Sequence, residues 1–179
     1  IDTIMLGVLT SKEEVGIYNL AYNLMEGTFF IPTILMASIF PGLSKKKHFL
    51  SFFRKGLYLL TLSGIFCGIT IFFLSDFIIN YFFAQEFIKT VGLLKILSYA
   101  IPLVFWGYLM TQSLIALDLS KLFLVVTTFG LAINVTLNFF LIPENGASGA
   151  AIATIITESF ISLSCFIIIF KYQPSASPE

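Results

Sequence analysis

Five apolar segments, each long enough to cross a bilayer, follow one another with only short breaks. They run near 15–40, 56–74, 91–117, 122–142 and 147–170. A spanning helix needs about 20 mostly apolar residues. Lipid offers no partner for bare N–H and C=O groups, so such segments fold as helices. The expected fold is an all-α, multi-pass integral membrane bundle. The opening stretch, 1–9, is apolar apart from Asp2 and Thr3 and is too short to span. It reads as the second half of a helix that begins upstream, which makes about five and a half transmembrane helices in 1–172.

Composition narrows the function classes. The chain is 58% hydrophobic and 11% charged, where a soluble domain carries about 25% charged residues. Its net charge of zero argues against a nucleic-acid partner. Cys67 and Cys165 lie inside apolar segments and read as small buried hydrophobes. No metal-ligand spacing, P-loop or GxSxG motif occurs, and the single His48 has no partner in the sequence. The loops are too short to hold a catalytic site. No enzyme, catalytic residue, metal or cofactor is therefore expected. The polar, proline-bearing end, 173–179, reads as a disordered cytoplasmic tail.

The connections sort by charge. Lys45, Lys46, Lys47, Arg54 and Lys55 crowd the break after the first segment. Cytoplasmic loops carry Lys and Arg, so this break falls inside, where it fixes topology or meets anionic lipid headgroups. Alternation then puts 10–14, 75–87 and 142–148 outside, and 116–121 with Lys121 inside. Lys171 and the tail end inside.

Ionisable residues at membrane depth are costly and face a cavity or a partner. Asp2, Glu26 and Glu158 are the carboxylates in question. Asn19, Asn23 and Glu26 form a stripe at i, i+4 and i+7, and Pro32 should bend the same helix. Thr154, Glu158 and Ser162 form a second stripe; Asn134 and Asn138 share a third face. Lys95, Tyr99, Pro102 and Trp106 form a fourth, with Gln112 and Ser113 lower on that helix. Converging, these stripes would line one polar cavity. The asparagines would serve either as cavity lining or as hydrogen-bond glue between helices. Lys95 would either touch substrate or extend to the interface. Glu26, on the bent helix, is expected to matter more than Glu158, and either is a candidate carrier of a coupling proton. Gly64 and Gly68 form GxxxG, and Gly146, Gly149, Ala150 and Ala151 cluster at the last segment; both suit close helix packing, and the second could also attract an anion to a helix N-terminus.

The order of these residues resembles the polysaccharide-biosynthesis flippases. An Asp precedes a Met-Leu-Gly turn, a short acidic loop and Val-Gly-x-Tyr-x-x-Ala; here these are Asp2, Met5, Leu6, Gly7, Glu13, Glu14, Val15, Gly16, Tyr18 and Ala21. Glu26, Pro32 and the run FPGLS (Phe40, Pro41, Gly42, Leu43, Ser44) follow. A second stretch, Asn134, Asn138, Pro143, Gly146, Gly149, Ala150, Ala151 and Glu158, is similar to that family's late signature. The resemblance implies membership of the multidrug/oligosaccharidyl-lipid/polysaccharide exporter superfamily, with two six-helix lobes around a central cavity. It implies flipping of undecaprenyl-pyrophosphate-linked oligosaccharide across the plasma membrane by alternating access. This chain would be most of the second lobe, and its partners the bilayer, the lipid-linked oligosaccharide and an N-terminal lobe. Cations for the pyrophosphate would come from Lys95 or from that other lobe. A cation-coupled multidrug exporter or lipid II flippase of the same superfamily is the first alternative. A membrane-embedded transferase or a non-transporting scaffold is the second.

Overall fold

A computed structural model describes residues 1–173; the expected disordered tail lies, apart from Gln173, outside the described residues. Every described element is helical. In chain order they are α1 (Asp2–Leu9), α2 (Lys12–Glu26), α3 (Phe30–Leu43), α4 (Phe49–Phe82), α5 (Thr90–Ser98), α6 (Ala100–Ala116) and α7 (Ser120–Tyr172), with 3₁₀ turns at Lys46–His48 and Gln85–Phe87. Three stretches are long and apolar enough to cross a membrane: Lys12–Leu43, Lys46–Phe82 and Ser120–Tyr172. The pair α5 and α6, bent by 42°, passes the same test as one broken span.

Two of the breaks have the same cause. A proline at position i has no N–H for the carbonyl at i−4, and its ring crowds that carbonyl. Pro32 is the third residue of α3, and the break at 27–29 includes its i−4 residue, Thr28. Pro102 is the third residue of α6, and its i−4 residue, Ser98, ends α5. Short bonds of the i→i−3 kind carry the chain through both breaks, from Phe29 N–H to Glu26 C=O (2.8 Å) and from Tyr99 N–H to Ile96 C=O (3.2 Å). The helix expected to bend at Pro32 is interrupted at 27–29, one turn upstream of the proline itself.

The 53 residues of α7 would make a rod of about 80 Å, far more than a bilayer's thickness. The chain instead folds back at Gly146, where φ is 55° and ψ is −135°. That left-handed region favours glycine. Asn138 and Thr154, each eight residues from Gly146, both bond the carboxylate of Asp2. Further along the arms, a Cβ on Gly130 would meet Ile161 and Thr157. The two arms, 120–145 and 147–172, therefore run antiparallel. At the tip Gly149 lies so close to the Leu141 carbonyl that a side chain there would collide with backbone.

Other boundaries also depart from the apolar windows. Helix α4 begins at Phe49, so Arg54 and Lys55 sit on its first turns, not in a loop. It continues to Phe82, so most of 75–87 is helical. The connection expected at 142–148 contracts to the fold at Gly146.

α6 is the packing centre, with α4 on one side and α7 on the other. Ile101, Phe105 and Leu109 of α6 are fully buried, as are Leu94 and Leu97 of α5. Gly64 and Gly68 let α4 come close: a Cβ on Gly64 would stand 3.0 Å from the Pro102 Cα, and one on Gly68 2.9 Å from the Ser98 carbonyl oxygen. The outward face of α4 stays apolar and exposed at Leu62, Phe66, Phe73 and Phe77, a surface that lipid solvates and water does not. Cys67 and Cys165 are buried free thiols.

Candidate functional site

Asp2 is the hub of a polar cluster. A bend at Thr10 turns α1 back against α2: the Thr10 hydroxyl bonds the Leu6 carbonyl (2.7 Å), and Ser11 caps α2 by accepting from Glu14 N–H (3.3 Å). Asp2 then faces Tyr18, and Thr3 faces Asn19. Tyr18 Oη donates to Asp2 Oδ2 (2.7 Å) and Thr3 Oγ1 to Asn19 Oδ1 (3.0 Å). The α7 hairpin closes over the same carboxylate from the other side. Asn138 Nδ2 donates to Asp2 Oδ1 (2.7 Å) and to Asn134 Oδ1 (3.1 Å). Thr154 Oγ1 has one proton to share between Asp2 Oδ2 (2.9 Å) and the Ala150 carbonyl (3.0 Å).

Asp2 is eight residues from Thr10, as Asn138 and Thr154 are from Gly146. At 1.5 Å per helical residue the cluster lies about 12 Å from that end of the bundle, a distance close to half the hydrocarbon thickness of a bilayer, about 30 Å. All three donors to Asp2 are neutral. Two buried acceptors beside it have no partner: Asn138 Oδ1, in a side chain 0% exposed, and Thr157 Oγ1. Unmet buried polar atoms cost free energy, and a carboxylate held only by neutral donors suits a site that takes up a proton or another positive charge.

The cluster opens into a groove. A cavity of about 300 Å³ is lined by Asp2, Tyr22, Thr127, Asn134, Thr157 and Glu158 among others. Thr127, Glu158 and Ile161 also line a second cavity of about 330 Å³, with Gly107, Tyr108, Thr111 and Gln112. Tyr108 and Gln112 line a third of about 300 Å³, with Thr33, Phe40 and Pro41. Pro41 finally borders a fourth, about 380 Å³, beneath Lys45 and His48. The first three share lining residues in series between α3, α6 and the α7 arms; the fourth, set between α3 and the start of α4, shares only Pro41 with them.

The expected stripes converge in part. Asp2, Asn134, Asn138 and Glu158 come together, and Gln112 joins them further along. Glu158 and Asp2 are within electrostatic reach of one another, and Tyr22 is within reach of both and of Glu26. Asn19 bonds Thr3 beside the cluster. Asn23 and Glu26 are exposed, outside the groove lining, and Glu26 has no hydrogen-bond or ion-pair partner among the described residues. Lys95 lies elsewhere: it pairs with Asp76 of α4 (2.6 Å) and lies 5.8 Å from the Phe72 ring centre. Trp106 likewise turns to α4 and donates to Thr61 (2.8 Å). The fourth stripe therefore faces α4, where a cavity of about 330 Å³ is lined almost wholly by apolar side chains. Ser162 donates to the Leu103 carbonyl (3.2 Å), which ties α7 to α6.

The other end of the molecule is held by charge. Glu14 Oε2 accepts from Ala147 N–H (2.7 Å), so a carboxylate from α2 sits at the start of the second α7 arm. Free N–H groups and the helix dipole favour an anion there; the chain supplies its own. Lys89, before α5, pairs with Glu13 (3.0 Å).

Sequence reasoning missed Tyr18, Glu14 and Thr157. A signal for the first exists: folding at Thr10 sets residues 2 and 18 opposite each other, as folding at Gly146 does for 138 and 154. Comparison with known proteins adds no further constraint: no family model, curated protein or solved structure matches this chain.

Proposed function

We propose that this chain is one lobe of a two-lobe membrane carrier that works by alternating access, with a cation or proton at Asp2 coupling the cycle. In this reading α2–α3, α4, α5–α6 and each arm of α7 are the five crossings. The observation that carries the proposal is the carboxylate cluster at Asp2 with the polar cavity beside it. Further cavities adjoin it in the direction of the basic end of an otherwise apolar bundle. Polar lining at such depth is expensive and marks a path for ions or substrates. A pure scaffold gains nothing from it.

The substrate follows from the ordered motifs from Asp2 to Ser44 and from Asn134 to Glu158. They support a lipid-linked oligosaccharide, flipped across the plasma membrane with the tail inside. The groove supports the same choice in one respect: Thr, Asn, Gln and Tyr side chains hydrogen-bond sugar hydroxyls without demanding a charge. A second reading, the cation-coupled drug exporter, draws on the same three carboxylates, which suit a cationic substrate.

The test is surface display of the glycan in cells that express the whole protein at matched levels. Asp2→Asn should abolish export with insertion intact. Glu158→Gln, inside the groove, should reduce export more than Glu26→Gln, outside it; this reverses the order expected from the stripes. Normal glycan display with Asp2→Asn, together with lost resistance to cationic drugs, would replace the first reading by the second.

A further inference from the structure

The groove leaves one chemical problem open at its mouth. From Asp2 to Gln112 its lining carries carboxylates and neutral polar groups but no Lys, Arg or His. A phosphate would be repelled there. The cavity across Pro41 differs: Lys45, His48 and Ser38 border a wall that is otherwise apolar, formed by Pro41, Gly42 and Phe52. Lys45 and His48 have no carboxylate partner among the described residues.

The backbone builds this pocket. Lys45 is extended (φ −92°, ψ 103°), and the 3₁₀ turn Lys46–His48 brings the His48 side chain back beside it. His48 N–H closes the turn on the Lys45 carbonyl (2.8 Å). Phe52 packs flat on Gly42, where any side chain would collide with the ring. The end of α3 and the start of α4 are thereby held together as an apolar wall under two polar tips. A lysine ammonium gives three donors, and an imidazole gives at least one. Nearby Lys46, Arg54 and Lys55 raise the local positive potential, and no acidic residue lies between 27 and 75.

We infer that the pocket under Lys45 and His48 binds the phosphate of a membrane lipid. The pocket stands at the end of two long apolar helices, the level at which headgroups lie. Phosphate meets Lys45 and His48, and the hydrocarbon beyond it meets Phe52 and the exposed apolar face of α4. Resting on the function proposed above, the inference divides the substrate. The phosphate end stays at this pocket, and the uncharged glycan reaches past Pro41 into the carboxylate-lined groove.

The experiment uses the whole protein in phosphatidylcholine nanodiscs. Four probes are titrated separately: an isoprenoid phosphate, the matching uncharged isoprenol, phosphatidylglycerol and inorganic phosphate. The expected result is binding of the isoprenoid phosphate, with at least tenfold weaker affinity for the isoprenol. Lys45→Gln with His48→Gln should weaken phosphate-lipid binding at least tenfold, while Lys46→Gln with Arg54→Gln changes it less than twofold. Lys45→Arg should retain binding. Equal losses in the two double variants would overturn the pocket in favour of diffuse surface charge. Inorganic phosphate binding as tightly as either lipid would overturn the lipid assignment. Equal affinity for phosphatidylglycerol and the isoprenoid phosphate would keep the pocket as a headgroup site and remove the division of the substrate. Loss of glycan export without any change in these affinities would leave the carrier standing and overturn the pocket's part in it.

Discussion

The carboxylates of this bundle fall into two groups that differ in depth and in company. Near the end that carries Thr10 and Gly146, Glu13 pairs with Lys89, Asp76 with Lys95, and Glu14 with the N–H of Ala147. Deeper in the bundle, Asp2 has only neutral donors, and Glu158, in the groove lining, has no hydrogen-bond or ion-pair partner among the described residues. Structural charge is neutralised where water could have solvated it. Charge that would be dear to bury is left uncompensated, facing a groove. A protein selected for stability alone would show the reverse, because a buried ion without a counter-ion costs several kcal/mol while an exposed pair contributes little. The contrast separates residues that hold the bundle from residues that work in it.

Removing Asp2 should break the comparison most sharply. Asp2→Ala removes the acceptor shared by Tyr18, Thr154 and Asn138; Thr154 keeps the Ala150 carbonyl and Asn138 keeps Asn134 Oδ1, so the Tyr18 hydroxyl and one Asn138 N–H go unmet, a loss of about 2 kcal/mol. Thermal unfolding in detergent should show it, and Asp2→Asn should recover most of the loss. An Asp2→Ala protein as stable as the parent would mean that the freed donors find other partners.

Glu14→Gln tests the structural group at its strongest point. It replaces a charge-assisted bond to a helix N-terminus by a neutral one, at about 1 kcal/mol. Hydrogen exchange should rise at Ala147 and in the turn that follows, and remain unchanged around Asn138. Exchange rising equally at both places would join the two groups into one.

Lys89→Ala should do least. The hydrogen bond and charge of Glu13 raise the Lys89 amine above its ordinary value. A raised value means that the pair's contribution is complete below the usual lysine range and is lost only as pH climbs through the raised value. The pair is fully exposed to solvent, which screens it. No change in unfolding temperature is expected between pH 6 and 9, in parent or variant. A clear drop would give this exposed pair a larger part in holding α2 to α5.

Much of this was legible in sequence, for physical reasons that differ by element. Apolar length located the helices, because lipid-exposed backbone must close its own hydrogen bonds. Pro32 announced the interruption of its helix, because the missing N–H acts locally. Helix ends were less visible: α4 runs on past Asp76 and Asn80 because Asn80 bonds back to the Asp76 carbonyl (2.7 Å) and continues the helix through polar residues. Stripes failed at Lys95 because spacing shows that residues share a face and not which neighbour the face meets; α4 takes that one. Tyr18 was hidden because a tyrosine on an apolar helix reads as packing until its hydroxyl is seen to meet a carboxylate sixteen residues away.

The hairpin of α7 has a consequence for how the molecule is made. Its two arms have almost no connecting loop, and its tip closes on Glu14, synthesised some 130 residues earlier. Asp2, older still, waits for Asn138 and Thr154. Until the last arm leaves the ribosome, both carboxylates are without their final donors inside an unfinished bundle. Assembly therefore has a late committed step, and contacts of such sequence separation form slowly. Chains halted before Gly146 should be recognised as incomplete by membrane quality control, while chains that have released the whole second arm should hold both clasps.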